Sequence, residues 1–276
     1  MEYKMFQVRP GRNIRLKKID PGYSLGHKDE VWAKTKLLKY TQKLSLLQYK
    51  LYAEKRHSLL ICLQGMDAAG KDGVIRHVFS AMNPQGTRVC AFKVPTEEER
   101  SHDFLWRVEK QVPAKGEIAI FNRSHYEDVL AARVHKLVAK ELWSERYDCI
   151  NNFEKNLSES GTHILKFFLH ISPGEQLARF KQRLDDPQRQ WKISEADYAE
   201  RQCWDKYMRA FEDVFSRTST AYAPWYIIPA DHKWFRNLLI SKIIVDELES
   251  MEMQLPPVQV DIAAIRRKYH KAQKSR

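Results

Sequence analysis

Apolar positions along the chain fall into five short runs rich in branched and aromatic residues, with longer stretches of helical periodicity between them. These runs predict strands at 59–64, 87–93, 117–122, 163–170 and 225–228. Strands that alternate with helices pair in parallel through right-handed crossovers. The pattern therefore predicts an open, three-layer α/β/α fold around a five-stranded parallel sheet.

Polar residues mark where several helices begin. Thr96 with Glu99 has the spacing of a capping box, and Ser172 followed by Pro173 is typical of a first helical turn. Further helices are expected at 29–57, 72–82, 144–161, 194–218 and 231–251. At about 180–200 two helical stretches follow each other without a strand between them, and this segment is rich in lysine and arginine. We expect it to project from the sheet as a lid.

The pattern divides the chain into three parts. Residues 1–57 are expected to form an N-terminal extension and a long helix that packs on the core. Residues 58–256 form the core with its lid, and residues 257–276 form a basic tail. Residues 1–20 and 261–276 together carry nine of the twelve excess positive charges. The two ends either contact a polyanion or only aid solubility. The rest of the chain is nearly neutral, so it does not have the uniformly basic surface of a protein that coats nucleic acid.

Composition indicates a globular, cytoplasmic protein. Of the 276 residues 43% are hydrophobic, yet no apolar stretch approaches the roughly 18 residues that a membrane span needs. The beginning of the chain lacks the apolar segment of a secretory signal. The four cysteines are scattered, without a Cys-x-x-Cys pair, and are expected to be reduced.

The segment Gly65 to Gly73 carries the first chemical signal. It follows a predicted strand, opens a predicted helix and matches the pattern G-x-x-x-x-G-K. Small residues let successive backbone N–H groups point at a phosphate, and Lys71 reaches the outer phosphates. A tight strand-to-helix turn is the structural alternative, but it leaves Lys71 unexplained.

Two carboxylates lie inside this loop. Asp72 stands where the pattern usually has a serine or threonine that binds Mg²⁺, and Asp67 adds a second negative charge. Carboxylates repel phosphate unless a cation bridges them, so the pair predicts bound Mg²⁺. Asp72 could instead cap the following helix.

A second polar segment, residues 122–128, follows the third predicted strand. Because strand ends at this edge of the sheet face the ligand, Arg123 is placed to pair with phosphate, and Glu127 or Asp128 with a metal or with substrate hydroxyls. Alternatively, Ser124 caps a helix in a capping box with Glu127, and His125 is a framework residue.

Beyond these motifs the chain resembles the second family of polyphosphate kinases in segments spread from about residue 8 to residue 250. The resemblance rests on the loop Gly65 to Gly73, on FKVPT at 92–96, on FNRSHYEDVLAAR at 121–133, on KFFLH at 166–170, and on the lid with Pro187 and Trp191. It implies a thymidylate-kinase-like P-loop kinase core with a helical lid. It also implies Mg²⁺-dependent phosphoryl transfer between inorganic polyphosphate and nucleotides, with Mn²⁺ as an alternative metal, and a homo-oligomer.

The resemblance also implies roles for individual residues. Asp67, Lys71, Arg123, Glu127 and Asp128 would be catalytic, with Asp67 and Asp128 holding the metal. Lys93 and Glu127 would bind the nucleotide. Phosphate or polyphosphate would be bound by Gly65, Ala68, Ala69, Gly70, Lys71, Asp72, Gly73, Arg123, Arg133, Arg179, Arg183 and Lys192.

The pair Glu127-Asp128 resembles the subgroup called class III, which phosphorylates nucleoside mono- and diphosphates, and ATP would be a product or partner. Asn122 stands where members restricted to diphosphates have an aspartate. Two other functions remain open. An ATP-dependent nucleoside monophosphate kinase shares the loop and the lid, and a non-enzymatic P-loop module would bind a polyanion such as RNA through its ends.

Overall fold

The computed structural model describes residues 3–27 and 29–274, so Arg276 of the basic tail lies outside the described residues. The predicted sheet is confirmed. Its strands pair only in parallel, in the order β2-β3-β1-β4-β5. The strands are β1 (Ser58–Gln64), β2 (Thr87–Ala91), β3 (Ile118–Asn122), β4 (Thr162–His170) and β5 (Trp225–Pro229).

Helices cover both faces of the sheet. The α-helices are α1 (Glu30–Glu54), α2 (Lys71–Val78), α3 (Glu97–Ser101), α4 (Trp106–Glu109), α5 (Ala131–Val134), α6 (Lys140–Glu159), α7 (Pro173–Asp185), α8 (Glu195–Gln202), α9 (Trp204–Thr218), α10 (Lys233–Ser250) and α11 (Ile262–Lys274). The capping box at Thr96 and the start of α7 after Ser172 are both as predicted.

Alternation along the strands explains the three layers. In β1, Leu59, Ile61 and Leu63 pack against α1, α2 and α10, whereas Leu60 and Cys62 lie in clusters on the opposite face. There the sheet is covered chiefly by α6 and α9. Because β1 is buried on both faces, it reads in the sequence as a continuous apolar run.

One predicted helix is divided in the structure. Residues 194–218 form α8 and α9, which meet at Cys203. No residue of α8 is buried, whereas α9 buries an apolar face that includes Phe211 and Phe215. The break lets α9 lie on the sheet while α8 stays with the hairpin that it forms with α7.

The order of the strands opens a crevice. The chain leaves β1 toward one edge of the sheet and leaves its neighbour β3 toward the other edge. Ligands of open α/β sheets bind where such connections diverge, at the carboxyl ends of the strands. The loop 65–70 and the segment that begins at Arg123 flank this point.

The end of the chain projects from the body. Every described residue of α11 except Ala264 is exposed, and α11 buries none of its side chains. In the described part of the chain no helix is both long and apolar enough to cross a membrane.

Candidate active site

A cavity of about 990 Å³ opens at the carboxyl ends of β1 and β3. Among the described residues, eleven lysines and arginines line it against four aspartates and glutamates. The cations are Lys34, Lys71, Arg76, Lys93, Arg123, Arg179, Arg183, Arg189, Lys192, Lys233 and Arg236. A concave site with this excess of positive charge attracts polyanions.

The loop between β1 and α2 forms the floor of the cavity, and its glycines are required. Gly65 has φ +152°, and a Cβ there would lie 2.9 Å from the carbonyl oxygen of Leu169. Gly70 has φ +104°, a conformation that L-residues rarely adopt. The chain can therefore turn directly from β1 into α2, which leaves the first N–H groups of α2 open toward the cavity.

Lys71 is held inside the loop. Its Nζ donates to the carbonyl oxygens of Gly65 (2.8 Å) and Met66 (3.3 Å). Burial, together with the nearby Arg123, lowers the pKa of Lys71 to about 8, although Asp67 and Glu127 oppose that shift. Without a ligand this ammonium group therefore lacks a direct acidic partner.

Arg123 and Asp67 join the two loops across the crevice. Arg123 Nη2 donates to Asp67 Oδ1 at 2.8 Å, and Nη1 lies 3.6 Å from Glu127 Oε2. Burial disfavours the guanidinium, but Glu127 and Asp67 outweigh it and raise the pKa of Arg123. Arg123 has φ +64°, and its N–H donates to Leu63 O. This strained turn directs the side chain back over the phosphate loop.

Asp72 and Asn122 make a second link between the loops. Asn122 Nδ2 donates to Asp72 Oδ1 at 2.9 Å, and both residues line the cavity. Asp72 lies in the first turn of α2, where a carboxylate also interacts favourably with the helix dipole.

A fully buried polar network lies behind residues 123–128. Lys166 Nζ donates to Glu154 Oε2 (2.6 Å), to Tyr126 Oη (2.9 Å) and to Thr218 O (2.7 Å). Glu154 Oε1 also accepts from Tyr126 Oη (2.8 Å) and lies 3.1 Å from His125 Nε2. Burial raises the pKa of Glu154, but Lys166 and His125 outweigh it, so that this pKa is lower than usual. His125 is therefore a framework residue that anchors the segment after Arg123.

Ser124 is the N-cap of a 3-10 helix, and its side chain does not make the predicted capping box with Glu127. Its Oγ accepts from Tyr126 N–H, and the helix covers His125–Asp128. The Glu127 carboxylate faces Arg123, whereas Asp128 lies between Arg107 (3.7 Å) and Arg146 (3.4 Å) and does not line the cavity. Burial raises the pKa of Asp128 despite these two arginines.

The hairpin of α7 and α8 covers the cavity from one side, and Arg183 and Lys192 line it. Arg179, in the middle of α7, also lines the cavity, but its guanidinium is held by backbone carbonyl oxygens. Its Nη1 donates to the carbonyl oxygens of Ala68 and Ala69, and its Nη2 donates to Ala230 O. It fixes the rear of the phosphate loop.

Comparison with known proteins gives these features a family. The family model described as Polyphosphate kinase 2 matches residues 27–256. The chain belongs to the polyphosphate kinase 2 family. It is 49% identical to the AMP/ADP-polyphosphate phosphotransferase of Meiothermus ruber, over 92% of this chain and 95% of that protein.

Two further relatives agree with this membership. The chain is 45% identical to the ADP-polyphosphate phosphotransferase of Rhodopseudomonas palustris, over 92% of each protein. The crystal structure of polyphosphate kinase 2 from Arthrobacter aurescens superposes with a TM-score of 0.92, at 43% identity, and covers 96% of this chain and 95% of that one.

Within this family member, the structure brings most of the predicted site residues to one cavity. Its lining includes Asp67, Ala68, Gly70, Lys71, Asp72, Gly73, Lys93, Arg123, Arg179, Arg183 and Lys192. Glu127 joins them through Arg123. Gly65 and Ala69 shape the loop from behind. Arg133 lies apart, in an ion pair with Asp213 (2.6 Å) and over the ring of Trp143.

Five cations of the cavity are absent from the predicted site, namely Lys34, Arg76, Arg189, Lys233 and Arg236. Arg76 follows Gly73 by three residues, about one helical turn, and its closeness in sequence to the loop could have indicated it. Lys233 and Arg236 belong to the first turns of α10, more than 150 residues from the loop. No local motif marks them.

Proposed function

We propose that this chain transfers phosphoryl groups between inorganic polyphosphate and nucleoside mono- and diphosphates, such as AMP and ADP. Family membership and the names of its relatives support the reaction. The observation that carries the proposal is the cation-lined cavity built around the loop 65–73, because its excess of positive charge suits two polyanionic substrates together.

In the transfer, the bond between the terminal phosphorus of polyphosphate and its bridging oxygen breaks, and the electron pair stays with the shortened polymer. A bond forms between that phosphorus and a terminal phosphate oxygen of the acceptor. Lys71 and Arg123 would stabilise the charge that spreads over the transferred group. Lys93 and Glu127 would contact the nucleotide, and Arg183 and Lys192 would bind the phosphates from the hairpin.

Asp67 and Asp72 fit a divalent cation, which we propose to be Mg²⁺, or alternatively Mn²⁺. Among the described residues there is no cluster of three or more carboxylate, histidine or cysteine ligands. Mg²⁺ in kinases is commonly held by one or two carboxylates together with substrate phosphates, so two acids in the loop suffice. When bound, the ion would supply charge neutralisation. Asp128, held between two arginines, is proposed to position the segment after Arg123 rather than to bind metal.

We also propose a cytoplasmic homo-oligomer. The four cysteines are free, which supports a reducing compartment. Exposed apolar residues on α1, including Val31, Leu38 and Leu46, support contact with a second copy.

The test is an assay with polyphosphate, Mg²⁺ and either AMP or ADP, without added ATP. Formation of ADP or ATP that requires polyphosphate is expected. An ATP-dependent nucleoside monophosphate kinase would form no ADP from AMP and polyphosphate, and it would convert ADP to ATP and AMP equally well without the polymer. Asp67→Asn and Lys71→Ala should each nearly abolish transfer while the protein stays folded. Lys115→Ala, at an exposed position before β3 that does not line the cavity, is the matched control and should retain transfer. Near-normal rates in the folded Asp67 or Lys71 variants would refute the proposed site.

A further inference from the structure

Arg236 is a buried cation without an acidic partner. Arg236 is 2% exposed. Its guanidinium donates to Ala69 O (3.1 Å) and to Asn237 Oδ1 (2.9 and 3.1 Å). Three other buried cations of the described chain, Arg107, Lys166 and Arg179, each form an ion pair with a carboxylate. Like Arg236, the buried Lys71 forms no ion pair with a carboxylate, and it contacts the same loop.

The loop is built around this guanidinium. A Cβ on Gly70 would lie 2.0 Å from Arg236 Nη1, and a Cβ on Gly73 would lie 3.0 Å from Nη2. Gly73 does not have a positive φ, so its own backbone does not require glycine. The space that Arg236 occupies therefore accounts for a glycine two residues after Lys71.

Burying an uncompensated charge is costly. Burial, together with the neighbouring Arg179, lowers the pKa of Arg236 to about 9. A neutral side chain of similar size would fill the same space without this cost. Arg236 also lines the cavity, beside the first turn of α2. The missing negative charge is supplied most directly by an anion on the loop.

We propose that Arg236 is a further phosphate-binding residue, which holds the donor polyphosphate on the loop 65–73 and whose charge that phosphate offsets. The inference rests on the proposed function, since it takes polyphosphate as the anion. It assigns to the first turns of α10 a part of the donor site.

The experiment compares Arg236→Met with Arg236→Lys, using sodium tripolyphosphate as the probe in titration calorimetry. Arg236→Met should bind at least about tenfold more weakly, since it loses the charge-assisted hydrogen bonds to phosphate. Arg236→Lys should recover part of the affinity. In steady-state assays Arg236→Met should raise the KM for polyphosphate more than the KM for AMP.

Thermal unfolding without ligand separates binding from a structural role. Removal of an uncompensated charge should leave the melting temperature of Arg236→Met unchanged or higher. Arg107→Met is the matched contrast, because it deprives Glu99 of its arginine and Asp128 of one of its two arginines, and it should lower the melting temperature. Arg209→Met, on an exposed part of α9 outside the cavity, controls for the change in net charge and should bind tripolyphosphate like the wild type.

Two results would overturn the inference alone, with wild-type transfer intact. One is an Arg236→Met variant that binds tripolyphosphate as the wild type does. The other is an affinity loss that accompanies a lowered melting temperature and is not rescued by lysine, which would make Arg236 structural. If the wild type neither binds tripolyphosphate nor transfers phosphate, the proposed function fails and this inference fails with it.

Discussion

The buried pair of Glu154 and Lys166 yields a quantitative prediction. Both side chains are fully buried, and every hydrogen-bonding proton of the ammonium has an acceptor, in Glu154, Tyr126 and Thr218. Lys166→Met removes one charge and leaves the Glu154 carboxylate buried. Breaking a buried pair in this way costs about 3–5 kcal/mol. A chain of this size loses roughly 0.6 kcal/mol of stability per degree near its midpoint, so its melting temperature should fall by roughly 5–8 °C.

The double variant Lys166→Met with Glu154→Leu is the informative control. It removes both charges, which is often neutral for stability. However, it deprives Tyr126 Oη and His125 Nε2 of their shared acceptor, at a cost of about 1–3 kcal/mol. The double variant should therefore be more stable than Lys166→Met alone.

Thermal unfolding by circular dichroism and urea titration at fixed pH would measure the wild type, the single variants Lys166→Met and Glu154→Leu, and the double variant. A double variant that loses the sum of the two single losses would refute the reasoning, because the two charges would then be independent. A Lys166→Met loss below about 1 kcal/mol would refute it as well, since so small a value is typical of exposed ion pairs. Because the pair anchors His125 and Tyr126, the kcat of the folded single variants should also fall.

Three further predictions follow from the phosphate loop and the basic end of the chain. Lys71 is protonated below its pKa of about 8, so the affinity for tripolyphosphate without metal should weaken as the pH rises through about 8. Calorimetry that finds no change in this affinity up to about pH 10.4, the usual lysine pKa, would contradict this. Gly73→Ala should weaken tripolyphosphate binding in the wild-type background but much less in an Arg236→Met background. Equal losses of affinity in both backgrounds would show that the Arg236 guanidinium does not fill the space beside Gly73. Removal of residues 261–276, whose described residues are all exposed except Ala264, should leave the melting temperature unchanged and raise the KM for polyphosphate at low salt. If the KM for polyphosphate depends on polymer length and salt as in the wild type, residues 261–276 only aid solubility.

The fold was predictable because its signals are local. Each strand is a short apolar run that lies between turns, and the phosphate loop is a contiguous motif in its required context. β2 ends at Ala91, two residues earlier than predicted, since it is an edge strand whose polar and exposed residues blur its end. The division of 194–218 at Cys203 depends on which part must lie on the sheet, and no turn residue marks it.

Local motifs alone predicted the site only where its residues are close in sequence, whereas Lys93, Arg183 and Lys192 were expected there from the family resemblance. Glu127 and Asp128 are neighbours, but in a 3-10 helix successive side chains point about 120° apart, so one faces Arg123 and the other faces Arg107 and Arg146. The direction of Arg179 depends on how α7 packs. Arg236 reaches the loop only because β5 and α10 return the chain beneath it.

Arg179 also sets how the hairpin can move. Its guanidinium clamps the middle of α7 to the carbonyl oxygens of Ala68 and Ala69, so the first half of that helix is immobilised with the floor of the cavity. The pivot for any closing motion must therefore lie further along, near the break at Asp186-Pro187. The arm beyond this break is short, and it carries Arg189 and Lys192, which already line the cavity. A short arm of this kind encloses the reacting end of a polymer while the rest of the polymer stays outside.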